Sequence, residues 1–392
     1  VGAQVTADLV LTVDQRQALD ALGDWVDTDE AFMSLTGPAG TGKTTVLRYA
    51  KDLLPSTTMW TAMTGKAATR MTVAAGVSAT TLHRILFYPP ATGSSKKLEF
   101  KELRDPDGEI LVIDESSMVT PSIHAALGKW ARTGVRVLFV GDSFQLPPVL
   151  SREETAAVGK GKDYSIFDVV FGPALVRVMR NNDEILAAAT ELRTQGTLPQ
   201  HNRGSFELLR LPDVAEHAIE TYLDDPEDHG LITWTNRTRM KANYEIRRRL
   251  GIDDAELQPG EPILIRKNGA QVLNGEVYTI KTIEIGMTLH TIPTRTIITT
   301  CGRHIHALAH VYDGSTPYFE DYEDWRMYTR AINQAQIYEP IPITYGHVLT
   351  AHTAQGSEFR RVTVFMPRAD TAISHFQTST VLPGGARVPF GR

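Results

Sequence analysis

The sequence predicts an α/β protein organised around parallel sheet, on three observations. Runs rich in β-branched residues recur at 57–63, 110–113, 135–140 and 175–179 with helical stretches between them, the alternation that lays helices on both faces of a parallel sheet. A glycine-rich loop, Gly37-Pro38-Ala39-Gly40-Thr41-Gly42-Lys43-Thr44-Thr45, follows the apolar run Ala31, Phe32, Met33 and Leu35 and opens a helical stretch. The 392 residues, 42% of them hydrophobic, are enough for two or three domains with ample core.

The loop has the strand-to-helix placement of a phosphate-binding turn. Glycines let successive N–H groups point inward, and the helix N-terminus adds partial positive charge where an anion sits. Lys43 is placed to neutralise β- and γ-phosphate charge, and Thr44 to offer a hydroxyl to Mg²⁺. The helix that follows is predicted over 44–54, with Pro55 as its stop. Residues 110–115 read as an apolar strand closed by two acids, which makes Asp114 the metal residue and Glu115 the general base that polarises an attacking water. One strand later, 137–148 repeats the plan and sets Asp142 and Gln145 past the end of a buried strand, where ligands of open α/β sheets bind. There Gln145 can sense a γ-phosphate and report its loss to Pro147 and Pro148. Arg180, after the predicted strand 175–179, is a candidate arginine finger.

Residues 87–109 break the pattern with Pro89-Pro90, Gly93-Ser94-Ser95 and Pro106, an excursion from the sheet as a hairpin or loop. A second α/β unit is predicted from Asn181, where Asn181 and Asn182 cap a helix carrying Ile185, Leu186, Ala189 and Leu192, closed by Gly196. It continues through a strand at 231–234 and a helix at 237–250 stopped by Gly251. From 262 to 345 the texture changes to short alternating strands such as 277–283 and 296–299 with Asn268-Gly269 and Asn274-Gly275 turns, a small β-barrel-like insertion. A helical piece with Trp325, Tyr328 and Ile332 follows, and the α/β texture returns at 343–350 and 361–366.

A net charge of −6 argues against a protein that coats nucleic acid through bulk positive charge, so any such binding is local. The basic cluster Arg237, Arg239, Lys241, Arg247, Arg248 and Arg249 reads first as a solvated helix face. One cysteine, Cys301, rules out an intramolecular disulfide framework and reads as a small buried hydrophobe. No apolar run approaches the ~18 residues that span a bilayer. The N-terminal residues carry acids rather than a basic lead into a hydrophobic run, which points to a soluble, cytoplasmic chain with no membrane partner.

Taken in order, the motifs resemble those of superfamily 1 helicases that move 5′ to 3′ on single-stranded DNA, in the Dda-type and RecD-like group. Leu11-Thr12 with Gln15 is similar to the Q motif, whose glutamine reads adenine. Residues 37–45 resemble motif I, 64–68 motif Ia, 80–83 motif Ib, Asp114-Glu115 motif II, 141–148 motif III and Arg180 the motif IV arginine finger. Trp234-Thr235-Asn236 is similar to the strand end that opens a helix of the second core domain, and 351–359 closely resembles motif V.

The resemblance implies two RecA-like phosphate-loop domains, 1–180 and 181–261 with 346–392. The first is interrupted by a strand-separating pin at 87–109, with Phe87 or Phe100 as its wedge or as packing, and the second by an SH3-like domain at 262–345. It implies ATP and Mg²⁺ as cofactors, with Gln15, residues 37–45 and Gly356 on the nucleotide, which would lie between the two core domains. It places Thr64, Lys66, Thr81, His83, Pro147, Asn236, His352 and Thr353 on the DNA. Partners are then single-stranded DNA and single-strand/duplex junctions, with single-strand-binding and replication proteins beside a monomeric motor. The family's motif VI is not recognisable after Gly356, where 381–392 has Pro and Gly in place of strand and helix. That departure supports an alternative expectation, a nucleotide-gated DNA-binding or remodelling module with impaired turnover.

Overall fold

The computed structural model describes residues 11–88, 103–159, 161–179, 183–195, 207, 213–252, 256–266, 272–286, 293–309, 311, 340–355, 357 and 359–365. The chain forms two compact units that divide between residues 181 and 182.

In the first unit Thr12 opens helix α1 (Val13–Val26) with a capping box, accepting from the Gln15 amide while the Gln15 side chain accepts from the Thr12 amide. Strand β1 (Phe32–Thr36) leads into the glycine loop and α2 (Lys43–Ala50). Then follow β2 (Met59–Ala62), α3 (Gly65–Ala75), β3 (Ala79–Thr81), α4 (Leu82–Leu86), β4 (Ile110–Asp114), α5 (Pro121–Ala131), β5 (Arg136–Gly141) and α6 (Arg152–Val158). The five strands pair in the order β1-β5-β4-β2-β3, every pair parallel. Strand β4 is buried along its whole length, as expected of a strand with a helical layer on each side. One layer packs Leu22, Leu47 and Met71 of α1, α2 and α3 on Leu35 and Val112; the other packs Leu82, Leu127 and Trp130 on Ile113 and Phe139.

Two sequence expectations for this unit shift. The helix predicted over 44–54 ends at Ala50, and Leu53 and Leu54 both donate to the Ala50 carbonyl in a chain of turns that precedes Pro55. The strand predicted at 175–179 is not formed; pairing falls earlier, where β1 exchanges hydrogen bonds with Phe171, Pro173 and Leu175 and bridges to Ala174 in parallel. Gly172 permits this, because a Cβ there would overlap the Ser34 carbonyl oxygen. Beyond Leu175 the chain is held by other means: the Asp14 carboxylate accepts the Val176 and Arg177 amides at 2.9 and 3.1 Å. The bulk of the 87–109 excursion lies outside the described residues. Its ends, Phe87 and Leu103, form an antiparallel bridge, and Phe87 packs against the core rather than standing free as a wedge.

The second unit holds α7 (Asp183–Gln195), α8 (Val214–Asp224), β6 (His229–Thr233) and α9 (Asn236–Arg249). It continues with β7 (Pro262–Ile265), β8 (Val277–Ile285), β9 (Thr294–Thr299), β10 (His304–Leu308), β11 (Ile343–Tyr345), β12 (Val348–Thr350), a short helix Ala351–Ala354 and β13 (Arg361–Val364). Strand β6 is the centre of a parallel sheet, β12-β6-β13. The alternating stretch makes a five-stranded sheet, β10-β9-β8-β7-β11, with antiparallel pairing throughout. Asn274-Gly275 forms the turn into β8, with Gly275 at φ 86° and its amide on the Ile265 carbonyl. Residues 343–345 stay in the antiparallel sheet, and the parallel sheet resumes only at Val348, later than the predicted return at 343. Asn268-Gly269 and the helical piece around Trp325 lie outside the described residues.

Helix α9 joins the two layers of this unit, giving Met240 to the antiparallel-sheet core and Ala242 and Ile246 to the parallel-sheet core. Its basic cluster is not a uniformly solvated face. Arg239 and Arg247 are fully buried, while Arg248 is exposed and pairs with Glu245 on its own helix. Arg247 donates through Nε to Glu261 at 2.6 Å, reaches the Tyr345 hydroxyl at 3.1 Å and lies 4.2 Å over the Tyr345 ring. Cys301 also departs from expectation: it is exposed in the turn between β9 and β10, where Thr299 and Arg303 close the hairpin and the thiol contacts the Thr299 hydroxyl at 3.2 Å.

Candidate functional site

In the first unit the sheet order sets the site. Strand β5 lies between β1, which ends in the glycine loop, and β4, which ends in the two acids. Two strand spacings, about 10 Å, thus separate loop from acids, room for a terminal phosphate and a water.

Gly40 and Gly42 both stand at φ 83°, which bends the loop without a side-chain penalty. Thr41 closes it, its hydroxyl on the Pro38 carbonyl at 2.9 Å, and Lys43 folds down onto the Gly37 and Pro38 carbonyls at 2.6 and 3.0 Å. Gln15 braces it from α1, its Nε2 donating to the Thr41 carbonyl at 2.9 Å. At the loop's outer side the Gly40 carbonyl accepts the Met179 amide. Burial pushes the Lys43 ammonium below its ordinary range, opposed by the nearby charges of Asp142, Glu115 and Asp114. Thr44 and Thr45 follow Lys43 on the first turn of α2, partly exposed.

The acids form the opposite wall. Burial, with the repulsion of Glu115, raises Asp114 above the usual carboxylate range; one of its oxygens accepts the Glu115 amide at 2.9 Å. Glu115 is one of two non-glycine residues with positive φ among the described residues, at 57°, and this turn swings its side chain away from the strand line. Asp142 is fully buried at the end of β5 and accepts the Phe144 amide. Gln145 takes the Ser117 hydroxyl at 3.2 Å, which links the segments after β4 and β5. Arg70, which sequence reasoning missed, reaches across from α3: its Nη2 lies 2.8 Å from Glu115 Oε1 and 3.7 Å from Asp114 Oδ2.

The residues predicted to touch nucleic acid share one placement, just past the carboxyl end of a parallel strand. Thr64 caps α3 after β2, with Lys66 in the first turn; Thr81 ends β3; and His83 stands next on α4, 6.0 Å from the Phe87 ring. Burial lowers the His83 imidazole. Pro147 follows β5. In the second unit Asn236 follows β6 and holds Arg239 at 3.2 Å, and His352 and Thr353 follow β12, with Thr353 and Thr350 hydroxyls 2.9 Å apart. Because β6 and β12 are neighbours, Trp234 and His352 meet, ring centres 6.2 Å apart. Beside them the Gln355 side-chain nitrogen and oxygen are buried with no hydrogen-bond partner among the described residues, an orphaned amide at the same strand ends. Arg180, Gly356 and residues 366–392 lie outside the described residues.

No helix among the described residues is long and apolar enough to cross a membrane. Nor does any cluster of three or more His, Cys, Asp or Glu among them suffice to hold a metal ion by itself.

Comparison with known proteins gives a consistent picture. A family described as AAA domain matches residues 10–204. The chain is similar to the ATP-dependent DNA helicase dda of Enterobacteria phage T4, 27% identical over 272 residues, which are 66% of this chain and 61% of that protein. It is 34% identical over 142 residues, 36% of this chain, to the ATP-dependent RecD2 DNA helicase of Deinococcus radiodurans, of which that stretch is 18%. It is 27% identical to the RecBCD enzyme subunit RecD of Mycolicibacterium smegmatis over 89% of this chain and 65% of that one. The chain therefore spans less than two thirds of each of these relatives. Among solved structures, Pif1 helicase from Bacteroides in complex with ADP-AlF3 and ssDNA matches with a TM-score of 0.55 at 19% identity, covering 96% of this chain and 93% of that one. Its likeness shows that the fold is RecA-like.

Proposed function

We propose that the chain, which is similar to superfamily 1 helicases of the Dda- and RecD-like group, is an ATP-driven DNA helicase that moves 5′ to 3′ along single-stranded DNA and opens duplex ahead of it. The observation that carries this reading is the charge cluster of the first unit: Lys43, Asp114, Glu115 and Asp142 drawn together at strand ends beside a helix, α3, whose N-terminus carries predicted DNA contacts.

The loop amides and Lys43 would bind the triphosphate, with Lys43 exchanging its loop carbonyls for phosphate oxygens. Thr44 and Asp114 fit Mg²⁺, a hydroxyl and a carboxylate being hard oxygen donors that leave the remaining positions to phosphate and water. The ion would neutralise phosphate charge there, and a cation offsets the repulsion between Asp114 and Glu115. Glu115 takes the proton of the attacking water, Gln145 senses the γ-phosphate, and Arg180 supplies the finger. DNA contacts are assigned to Thr64, Lys66, Thr81, His83 and Pro147 of the first unit, and to Asn236, His352 and Thr353 of the second. The imidazole of His83, lowered by burial, and the threonine hydroxyls at these positions suit phosphate and base contact without sequence readout.

ATP turnover measured with and without oligothymidine tests the reading. DNA-stimulated turnover that Lys43→Ala abolishes supports a motor, and unwinding of a 5′-tailed but not a 3′-tailed duplex supports the polarity. Tight nucleotide and DNA binding with no turnover would refute it in favour of a nucleotide-gated binding module.

A further inference from the structure

We infer that Arg70 is a positioning residue that keeps the general base Glu115 paired until a nucleic-acid phosphate replaces Glu115 as its partner, an inference that rests on the functional reading above. Three placements carry it. The guanidinium is 2.8 Å from Glu115 Oε1, so the carboxylate oxygen it holds is engaged as an acceptor and turned toward α3. The Arg70 side chain is one-third exposed, while those of Glu115 and Asp114 are 12% and 6% exposed, so it stands at the border between the buried acids and solvent. And Arg70 lies four residues after Lys66 on α3, hence on the same helix face, with Thr64 capping the helix below them.

A phosphate drawn to Lys66 is therefore presented to a second cation, one with five donors in a planar fork suited to phosphate oxygens. Arg70 has two anionic partners to choose between, Glu115 and the polynucleotide. Once Arg70 turns to phosphate, Glu115 is released for its step: water oxygen bonds to the γ-phosphorus, its proton passes to the Glu115 carboxylate, and the γ-phosphorus to β-bridging-oxygen bond breaks with its electron pair leaving on ADP. Linkage makes the competition reciprocal, since whatever frees Arg70 from Glu115 strengthens its hold on nucleic acid.

The test reads that reciprocity without turnover. In nucleotide-free protein, binding of fluorescent oligothymidine is followed by anisotropy in wild type, Glu115→Gln, Arg70→Gln and the double variant. Glu115→Gln is expected to tighten binding about fivefold, a coupling at the lower end of the usual range, and the gain is expected to vanish in the Arg70→Gln background. In turnover assays Arg70→Gln is expected to raise the DNA-free rate and shrink the stimulation ratio, while Arg70→Lys, which keeps the charge but not the fork, is expected to retain a larger part of the stimulation than Arg70→Gln. Circular dichroism and binding of a fluorescent ADP check that each variant is folded with its loop intact. Equal oligothymidine affinity with and without Glu115→Gln, or the same gain in both backgrounds, overturns this inference alone. Wild-type protein that neither binds oligothymidine nor hydrolyses ATP overturns the functional reading, and this inference with it.

Discussion

Replacing Arg247 by Met removes the cation from the most enclosed ion pair among the described residues. Both partners are out of solvent, the Arg247 side chain at 0% and that of Glu261 at 2% exposure, and the pair joins α9 to the segment entering β7. Glu261 also accepts the Gln258 amide at 2.6 Å, with His347 Nε2 3.8 Å away. Without Arg247 the carboxylate stays buried with its charge uncompensated, which costs about 3–5 kcal/mol; the lost contact with the Tyr345 face adds about 1 kcal/mol. The expected loss is thus about 4–6 kcal/mol, most of it the penalty on Glu261 rather than the worth of the bond. Arg247→Met with Glu261→Met should accordingly recover most of the loss. Urea unfolding of the four proteins of this cycle, with peptide-resolved hydrogen exchange to assign the transition to the second unit, measures both quantities.

The pH dependence has a defined sign. Burial tends to raise Glu261, but hydrogen bonds from Arg247 and the Gln258 amide, with the Arg247 charge beside it, hold it below the ordinary range. Its contribution is therefore full above pH 4.5 and fades as pH falls through the depressed value, and the double variant should lose that part of the acid limb. A single variant that costs under about 1 kcal/mol, or a double that costs the sum of the singles, would refute the argument that burial governs the pair.

Three further outcomes are expected. Glu115→Gln should keep nucleotide affinity and lower DNA-stimulated turnover by about 10²- to 10⁴-fold, the usual worth of a general base, and a loss under tenfold would reassign the base. Gly172→Ala drives a methyl group onto the Ser34 carbonyl and should destabilise the first unit by about 1–3 kcal/mol in thermal unfolding; an unchanged midpoint would show that residues 171–175 do not pair with β1. Burial tends to raise Asp14, but the Thr12 hydroxyl and the Arg177 and Val176 amides bring it from 3.8 to about 2. Asp14→Ala should therefore cost about 1 kcal/mol at neutral pH, and the difference from wild type should disappear as pH falls from about 4 toward about 2; a difference independent of pH would refute the charge argument.

The loop and the acids were legible because their chemistry is written in short spacing. Gly40, Gly42 and Lys43 sit within one turn of chain, and Asp114-Glu115 ends a run of apolar residues, so strand, bend and helix follow from local preference alone. What was not legible depends on partners far off in sequence. Arg70 and Glu115 are 45 residues apart, and nothing near Arg70 distinguishes it from a surface arginine except its spacing from Lys66. Arg239 and Arg247 look like members of a solvated basic run until Thr344, Glu261 and Tyr345 arrive from other elements to satisfy them. The β-branched stretch Val176 to Val178 carries strand propensity, yet Val176 is exposed and its amide is spent on Asp14. Propensity yields there to a side-chain acceptor, while pairing moves upstream to a segment holding Gly172 and Pro173, which local rules count against a strand.

The amide of Met179 on the oxygen of Gly40 has a mechanical corollary. The glycine bend and the end of the 161–179 stretch are stitched together by that bond. A change of curvature at residue 40 would be passed by that bond to Met179, the last residue before Arg180.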